Sequence, residues 1–182
     1  MSDESEKSEW LVEEEQTLLE TRVANITSAN VRNGRTGKEA EFYRLEFVDW
    51  VNVIAITTDQ KLVMIRQFRF GSRQVETEIP GGAIEKNEDP VSAGLRELLE
   101  ETGFTGNSGR IIGEVCPNPA IQNNRCYTIF VENAEKVAEQ NMDEMEDIEV
   151  ITMPLDKVDR GIASGEISHG LVLNGLMFYS RM

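Results

Sequence analysis

GAIEKNEDPVSAGLRELLEETGF, residues Gly82 to Phe104, is the stretch on which the reading of this 182-residue chain turns. Asp89 suits a helix N-cap, Pro90 the first helical position and Gly103 the residue just past the end. Between them Val91, Leu95, Leu98 and Leu99 share one face at 3.6-residue spacing. Glu97, Glu100 and Glu101 fall on the opposite face, so three carboxylates are expected to converge, with Ala93 and Gly94 leaving open space beside them. That face is costly for a helix that only has to fold. Like charges at i, i+4 repel by roughly 0.2–0.5 kcal/mol per pair, and the macrodipole disfavours anions in the last turn by about 0.3–1 kcal/mol each. A hard divalent cation such as Mg²⁺ takes oxygen ligands and turns this repulsion into ligation. A solvated acidic face would explain the helix alone, but not Gly82, Glu88, Arg96 and Gly103 at their fixed distances from it.

With nine defined positions matched across 23 residues, the segment resembles the Nudix box, the signature of hydrolases that cleave nucleoside diphosphates linked to another group. The resemblance implies Glu97 and Glu101 as main ligands of Mg²⁺ (Mn²⁺ being the alternative). Glu100 becomes a further ligand or a water-orienting group, and the backbone carbonyl of Gly81 an additional ligand. Arg96 reads as a support that pairs with Glu88 and fixes the loop onto the helix. Gly81 and Gly82 let backbone approach metal and phosphate closely.

The flanks bear on substrate. QFRFGSRQVETEIPGG, just upstream, resembles the branch that hydrolyses ADP-ribose and related nucleoside diphosphate sugars, which implies substrate contacts at Arg69 and Glu78. An exposed strand position is the structural alternative for Arg69. Pro119, sixteen residues beyond Gly103, is a further mark of that branch. The loop MDEMEDIEV resembles the segment that supplies the catalytic base there, which points to Glu144 or Glu146. Acidic neighbours would raise such a carboxyl's pKa, which suits a general base; a solvated acidic loop is the competing explanation. Where many nucleoside diphosphate sugar hydrolases carry an Asp-x-Lys pair, this chain has His169-Gly170-Leu171, which favours ADP-ribose over GDP-mannose. His169, the only histidine, is explained by a helix start without catalysis. The branch also implies a homodimer whose N-terminal strands help build the nucleotide pocket, with Tyr43, Arg44 and Trp50 on the base. Their alternating apolar context fits a plain dimer or core face equally. The implied reaction is Mg²⁺-dependent hydrolysis of ADP-ribose to AMP and ribose 5-phosphate. Alternatives are GDP-mannose, a dinucleoside polyphosphate, coenzyme A, a nucleoside triphosphate, or a sensor that binds without cleaving.

Composition agrees. The length suits a single domain with a sizeable core. A net charge of −15 disfavours a nucleic-acid polymer as partner. No stretch is apolar enough for a membrane span, and the N-terminus lacks the basic and apolar regions of a secretory signal, so a cytoplasmic location is expected. Residues 1–20 form an acidic segment, expected to be mobile to about residue 8 and briefly helical beyond; the Nudix domain is read as 21–182. Cys116 and Cys126 are read as small, reduced core residues, a bridge between them being the alternative. Strands are expected at 21–32 and 39–48 around the turn NGRTG, at 51–58, and in KLVMIRQFRF, VETEIP, RIIGEVC, RCYTIFVE and IEVITMP. Helices are expected near 154–164 and 168–181. The fold class is α/β: an α/β/α sandwich with a mixed sheet and an N-terminal β extension.

Overall fold

The computed structural model describes residues 10–142, 145 and 147–182. Two compact units are formed, one by Met1–Val48 with Asn118–Asn124, the other by Asp49–Pro117 with Arg125–Met182.

In the first unit β1 (Trp10–Val12), β2 (Gln16–Glu20), β3 (Asn25–Asn33) and β4 (Glu39–Glu46) make an antiparallel sheet. β4 runs along β3 with Ser28 opposite Tyr43, while β1 and β2 pair with opposite ends of β3. The turn after β3 is set by Asn33, whose Oδ1 accepts from the Arg35 and Thr36 amides at 3.0 and 3.1 Å, with Gly37 at a φ of 67°. The expected short helix after residue 8 is absent: Trp10–Val12 and Gln16–Glu20 are strands. The edge of β3 captures them, a long-range pairing that local propensity does not reveal.

The second unit is built on a mixed sheet of β5 (Trp50–Thr57), β6 (Lys61–Arg69), β7 (Gln74–Glu78), β8 (Gly81–Ala83), β9 (Phe104–Thr105), β10 (Gly109–Val115), β11 (Cys126–Lys136) and β12 (Ile148–Pro154). Its main path runs β10-β11-β5-β6-β12, with β7 on β6, β8 on β5 and β9 on β11. β11 and β5 are parallel. The apolar run of β5 is explained by burial on both faces. Val51, Val53 and Ala55 point with Ile129 and Val131 toward Ala93 and Leu98 of α1 (Pro90–Thr102). Ile54 and Ile56 point the other way, with Leu62, Met64 and Ile79, toward Val158 of α2 (Leu155–Ser164) and Val172 and Leu176 of α3 (Gly170–Tyr179). Helix, sheet, helix is the expected three-layer order. No helix among the described residues is long and apolar enough to cross a membrane.

α1 starts and stops where its sequence says. Asp89 accepts from the amides of Val91 and Ser92, Pro90 follows, and Gly103 turns left-handed at φ 72°. Two details differ from expectation. Leu99 is exposed, and Ala93 and Gly94 face the sheet rather than open space. A methyl group on Gly94 would lie 2.8 Å from Ile129 Cγ1, so these small residues bring the helix down onto the strands. Both cysteines are free thiols. Burial pushes the Cys126 thiol up to about 12, whereas Cys116 is exposed and so is not a core residue.

Leu98, fully buried between helix and sheet, tests this packing. Leu98→Ala is expected to cost about 2–5 kcal/mol of unfolding free energy in urea titrations; a cost below about 1 kcal/mol would contradict the described contact.

Candidate active site

The β8 strand lies along the first half of β5, pairing Gly81 with Asn52, Gly82 with Val51 and Ala83 with Trp50. The last turns of α1 rest on this edge, where backbone requires glycine at 81 and the present position of the Glu97 carboxylate favours it at 82. A Cβ at Gly81 would fall 2.2 Å from the Val51 carbonyl, and one at Gly82 would fall 2.4 Å from Glu97 Oε1. The carboxylate of Glu97 therefore occupies the space that a side chain at position 82 would need. The Gly81 amide donates to Glu101 Oε2 at 2.9 Å, which holds that buried carboxylate against the strand edge.

Arg96 organises the remaining acids. Its Nε and Nη2 donate to the two oxygens of Glu88, each at 2.9 Å. Its Nη1 donates to Glu97 Oε1 at 2.8 Å and Glu100 Oε2 at 3.1 Å, and Nη2 also reaches the Ala83 carbonyl at 3.1 Å. The fork to Glu88 is the expected one. These carboxylates, Glu88 first, raise the guanidinium pKa well above its ordinary value, and Arg96 in turn lowers that of Glu88. The three glutamates do not converge symmetrically as the helical spacing suggests. Glu97 and Glu100 share Arg96 Nη1, Glu101 turns to Gly81, and no preformed cluster of three metal-binding side chains exists among the described residues. The donors nevertheless fit a hard divalent cation: carboxylate oxygens from one helix turn pack against a glycine edge. Glu97, Glu101 and Glu100 are the side chains that would hold it.

Beside that edge opens a pocket of about 600 Å³, within the range of small-molecule sites. Trp50, Asn52, Arg69, Glu78, Gly81, Gly82 and His169 are among its walls. Arg69 and Glu78, each read as a substrate contact, are brought together as a bidentate pair: Nε to Oε1 at 3.0 Å and Nη2 to Oε2 at 2.7 Å. His169 Nδ1 stands 3.5 Å from the same Oε1. Burial alone would raise the Glu78 carboxyl, but His169 and Arg69 outweigh it and hold its pKa at about 2.

A family model, the NUDIX domain, matches residues 48–171. The chain belongs to the NUDIX family. Its relatives include an ADP-ribose pyrophosphatase of Bacillus subtilis, 32% identical over 64% of this chain and 64% of that protein. The chain thus matches just under two thirds of that relative's length. A methanol dehydrogenase activator of Bacillus methanolicus is 32% identical over 72% of this chain and 70% of its own. An ADP-sugar pyrophosphatase of Mus musculus is 29% identical over 69% of this chain and 56% of its own. The crystal structure of an ADP compounds hydrolase superposes with a TM-score of 0.83, covering 94% of this chain and 92% of that one, at 19% identity; it shows the shared fold.

Three other sequence-derived positions of this NUDIX chain, Tyr43, Arg44 and Pro119, belong to the first unit. Tyr43 and Arg44 sit on β4 in the first unit, where the Tyr43 hydroxyl donates to Glu41 at 2.7 Å and Arg44 bridges Glu15 and Glu46. Pro119 is exposed in a turn of the same unit, closed by the Ile121 and Gln122 amides donating to the Asn118 carbonyl. Glu144 and Glu146 lie outside the described residues. The segment leading to them is laced to the end of α1. The Asn141 amide donates to the Glu100 carbonyl at 2.8 Å. Gln140 Nε2 donates to the carbonyls of Glu101 at 2.7 Å and Ile148 at 3.0 Å. Gln140 and the Glu78–His169 contact escaped the sequence reading. Gln140 carries no local signal, while a lone histidine beside a glycine at a helix start offered only a weak one.

The pair at Glu78 has a pH signature. Its folded-state pKa is depressed from 4.5 to about 2, so its stabilisation is present above the unfolded value and is lost as pH falls through the folded one. Glu78→Gln is expected to destabilise the protein by roughly 3 kcal/mol near neutrality. In denaturation measurements that gap should close between about pH 4.5 and 2; a gap independent of pH would contradict the pairing.

Proposed function

We propose that this protein hydrolyses the pyrophosphate bond of a nucleoside diphosphate sugar, ADP-ribose first, with Mg²⁺ or Mn²⁺ as cofactor. The observation that carries this reading is the packing of Glu97 and Glu101 against the Gly81-Gly82 edge, at the wall of a pocket that also holds Trp50 and Arg69. The ADP-ribose and ADP-sugar pyrophosphatases among its relatives support the substrate class.

A divalent cation, when bound, neutralises diphosphate oxygens and orients the attacking water. Glu97 and Glu101 would supply carboxylate oxygens for it, with Glu100 and the Gly81 carbonyl as further ligands. The Gly81-Gly82 backbone and Arg69 line the pocket that would receive the diphosphate. Arg96 fixes the relation of loop to helix. A glutamate of the 142–147 segment, Glu144 or Glu146, takes the proton of the water. The water oxygen bonds to one phosphorus as the bond from that phosphorus to the bridging oxygen breaks, giving AMP and ribose 5-phosphate. Tyr43, Arg44 and Pro119 are proposed to complete the nucleotide site in a homodimer, and a cytoplasmic location goes with this reading. Retention of every box glutamate argues against a sensor that binds without cleaving.

Phosphate-release assays on a panel of nucleotide sugars, dinucleoside polyphosphates and triphosphates test the proposal. ADP-ribose should turn over only with divalent cation. Glu101→Gln should lower kcat by on the order of a hundredfold with binding retained. Loss of one of Glu144 and Glu146 should cost on the order of 10²–10⁴-fold and identify the base. Selective cleavage of a triphosphate, or tight binding without turnover, would overturn the substrate assignment.

A further inference from the structure

We propose that His169 binds the sugar of the non-nucleotide half of the substrate, and that Glu78 is the positioning residue that aims it; this rests on the function proposed above. The pocket has two chemically different ends. At one, Trp50 pairs with Ala83. Next come the Gly81-Gly82 edge and Asn52, which donates to the Leu171 carbonyl at 3.1 Å and so ties β5 to the start of α3. At the other end stand Glu78, Arg69 and His169. A diphosphate centred on the glycine edge directs one half of the substrate toward Trp50 and the other toward His169.

The geometry at Glu78 explains why the histidine, not the glutamate, meets the ligand. Both Glu78 oxygens are engaged by Arg69, and its side chain is only 3% exposed. His169 is 39% exposed on the pocket wall. Its Nδ1 is buried without a hydrogen-bond partner of its own, and Glu78 Oε1 is the acceptor it faces at 3.5 Å. A carboxylate opposite one ring nitrogen places the proton on that nitrogen and fixes the role of the other. Nε2 is thereby left for the ligand. A sugar hydroxyl both donates and accepts, so it satisfies Nε2 whether or not the ring is protonated; a phosphate oxygen, which only accepts, does not. Arg69 also neutralises Glu78, so the ring is oriented without adding net negative charge beside an anionic substrate.

Kinetics with ADP-ribose and calorimetric binding of AMP and ribose 5-phosphate to metal-free protein test this in wild type, His169→Ala and His169→Asn. Loss of one neutral hydrogen bond predicts a KM for ADP-ribose raised about five- to tenfold in His169→Ala with kcat within about twofold. Ribose 5-phosphate should weaken by about the same factor while AMP is unchanged, and His169→Asn, which keeps a donor and an acceptor, should recover part of the loss. Unchanged KM, equal weakening of AMP, or a fall confined to kcat would overturn the assignment. If His169→Ala fails to fold, the Asn variant decides: a partial weakening of ribose 5-phosphate with AMP unchanged supports the role, and unchanged binding of both ligands or weakening of AMP alone refutes it. A wild type that hydrolyses no nucleotide sugar overturns the proposed function instead, and the binding comparison still judges His169.

Discussion

Arg96 donates at once to Glu88, Glu97, Glu100 and the Ala83 carbonyl, and the usable form of the acidic helix depends on this convergence. Without it, two glutamates a turn apart would repel, and the 85–88 loop would have no fixed relation to the helix it precedes. One guanidinium neutralises the surplus and ties the loop, the strand end and the helix into a single piece. Arginine suits the task because its planar fork bonds a carboxylate through two nitrogens while the third faces elsewhere.

The same economy governs the strand beside it. Gly81 and Gly82 carry no side chains because the space is already taken, by the Val51 carbonyl and by Glu97. Backbone and carboxylates are thus brought within contact range in a protein of net charge −15. An anionic substrate would be drawn to such a molecule only through local positive charge, which a cation held by the glutamates would supply, since Arg69 is already paired with Glu78. Long-range steering of the kind a basic surface gives is not available to it.

What the sequence made legible was what local chemistry encodes. The caps of α1, Asp89 and Gly103, are single-residue signals, and so is the doubly buried run of β5. The Arg96–Glu88 fork followed from a family pattern that specifies both residues. What it hid depends on chain segments meeting from afar. β1 and β2 became strands only because β3 offered an edge. β8 is too short to show a period, and Ala93 and Gly94 read as open space until the sheet filled it. His169 and Glu78 are far apart in sequence, and Gln140 joins Glu101 to Ile148 through carbonyls that no side-chain pattern announces.

The proposed function requires that the acidic face of α1 and the Gly81 edge together bind a divalent cation. Crystals grown with Mn²⁺ and a non-hydrolysable ADP-ribose analogue, with data collected at the manganese absorption edge, test it most directly. An anomalous peak is expected in coordination range of Glu97 and Glu101 and beside the diphosphate. A bound analogue with Glu97 still on Arg96, Glu101 still on the Gly81 amide and no anomalous peak between helix and diphosphate would contradict it.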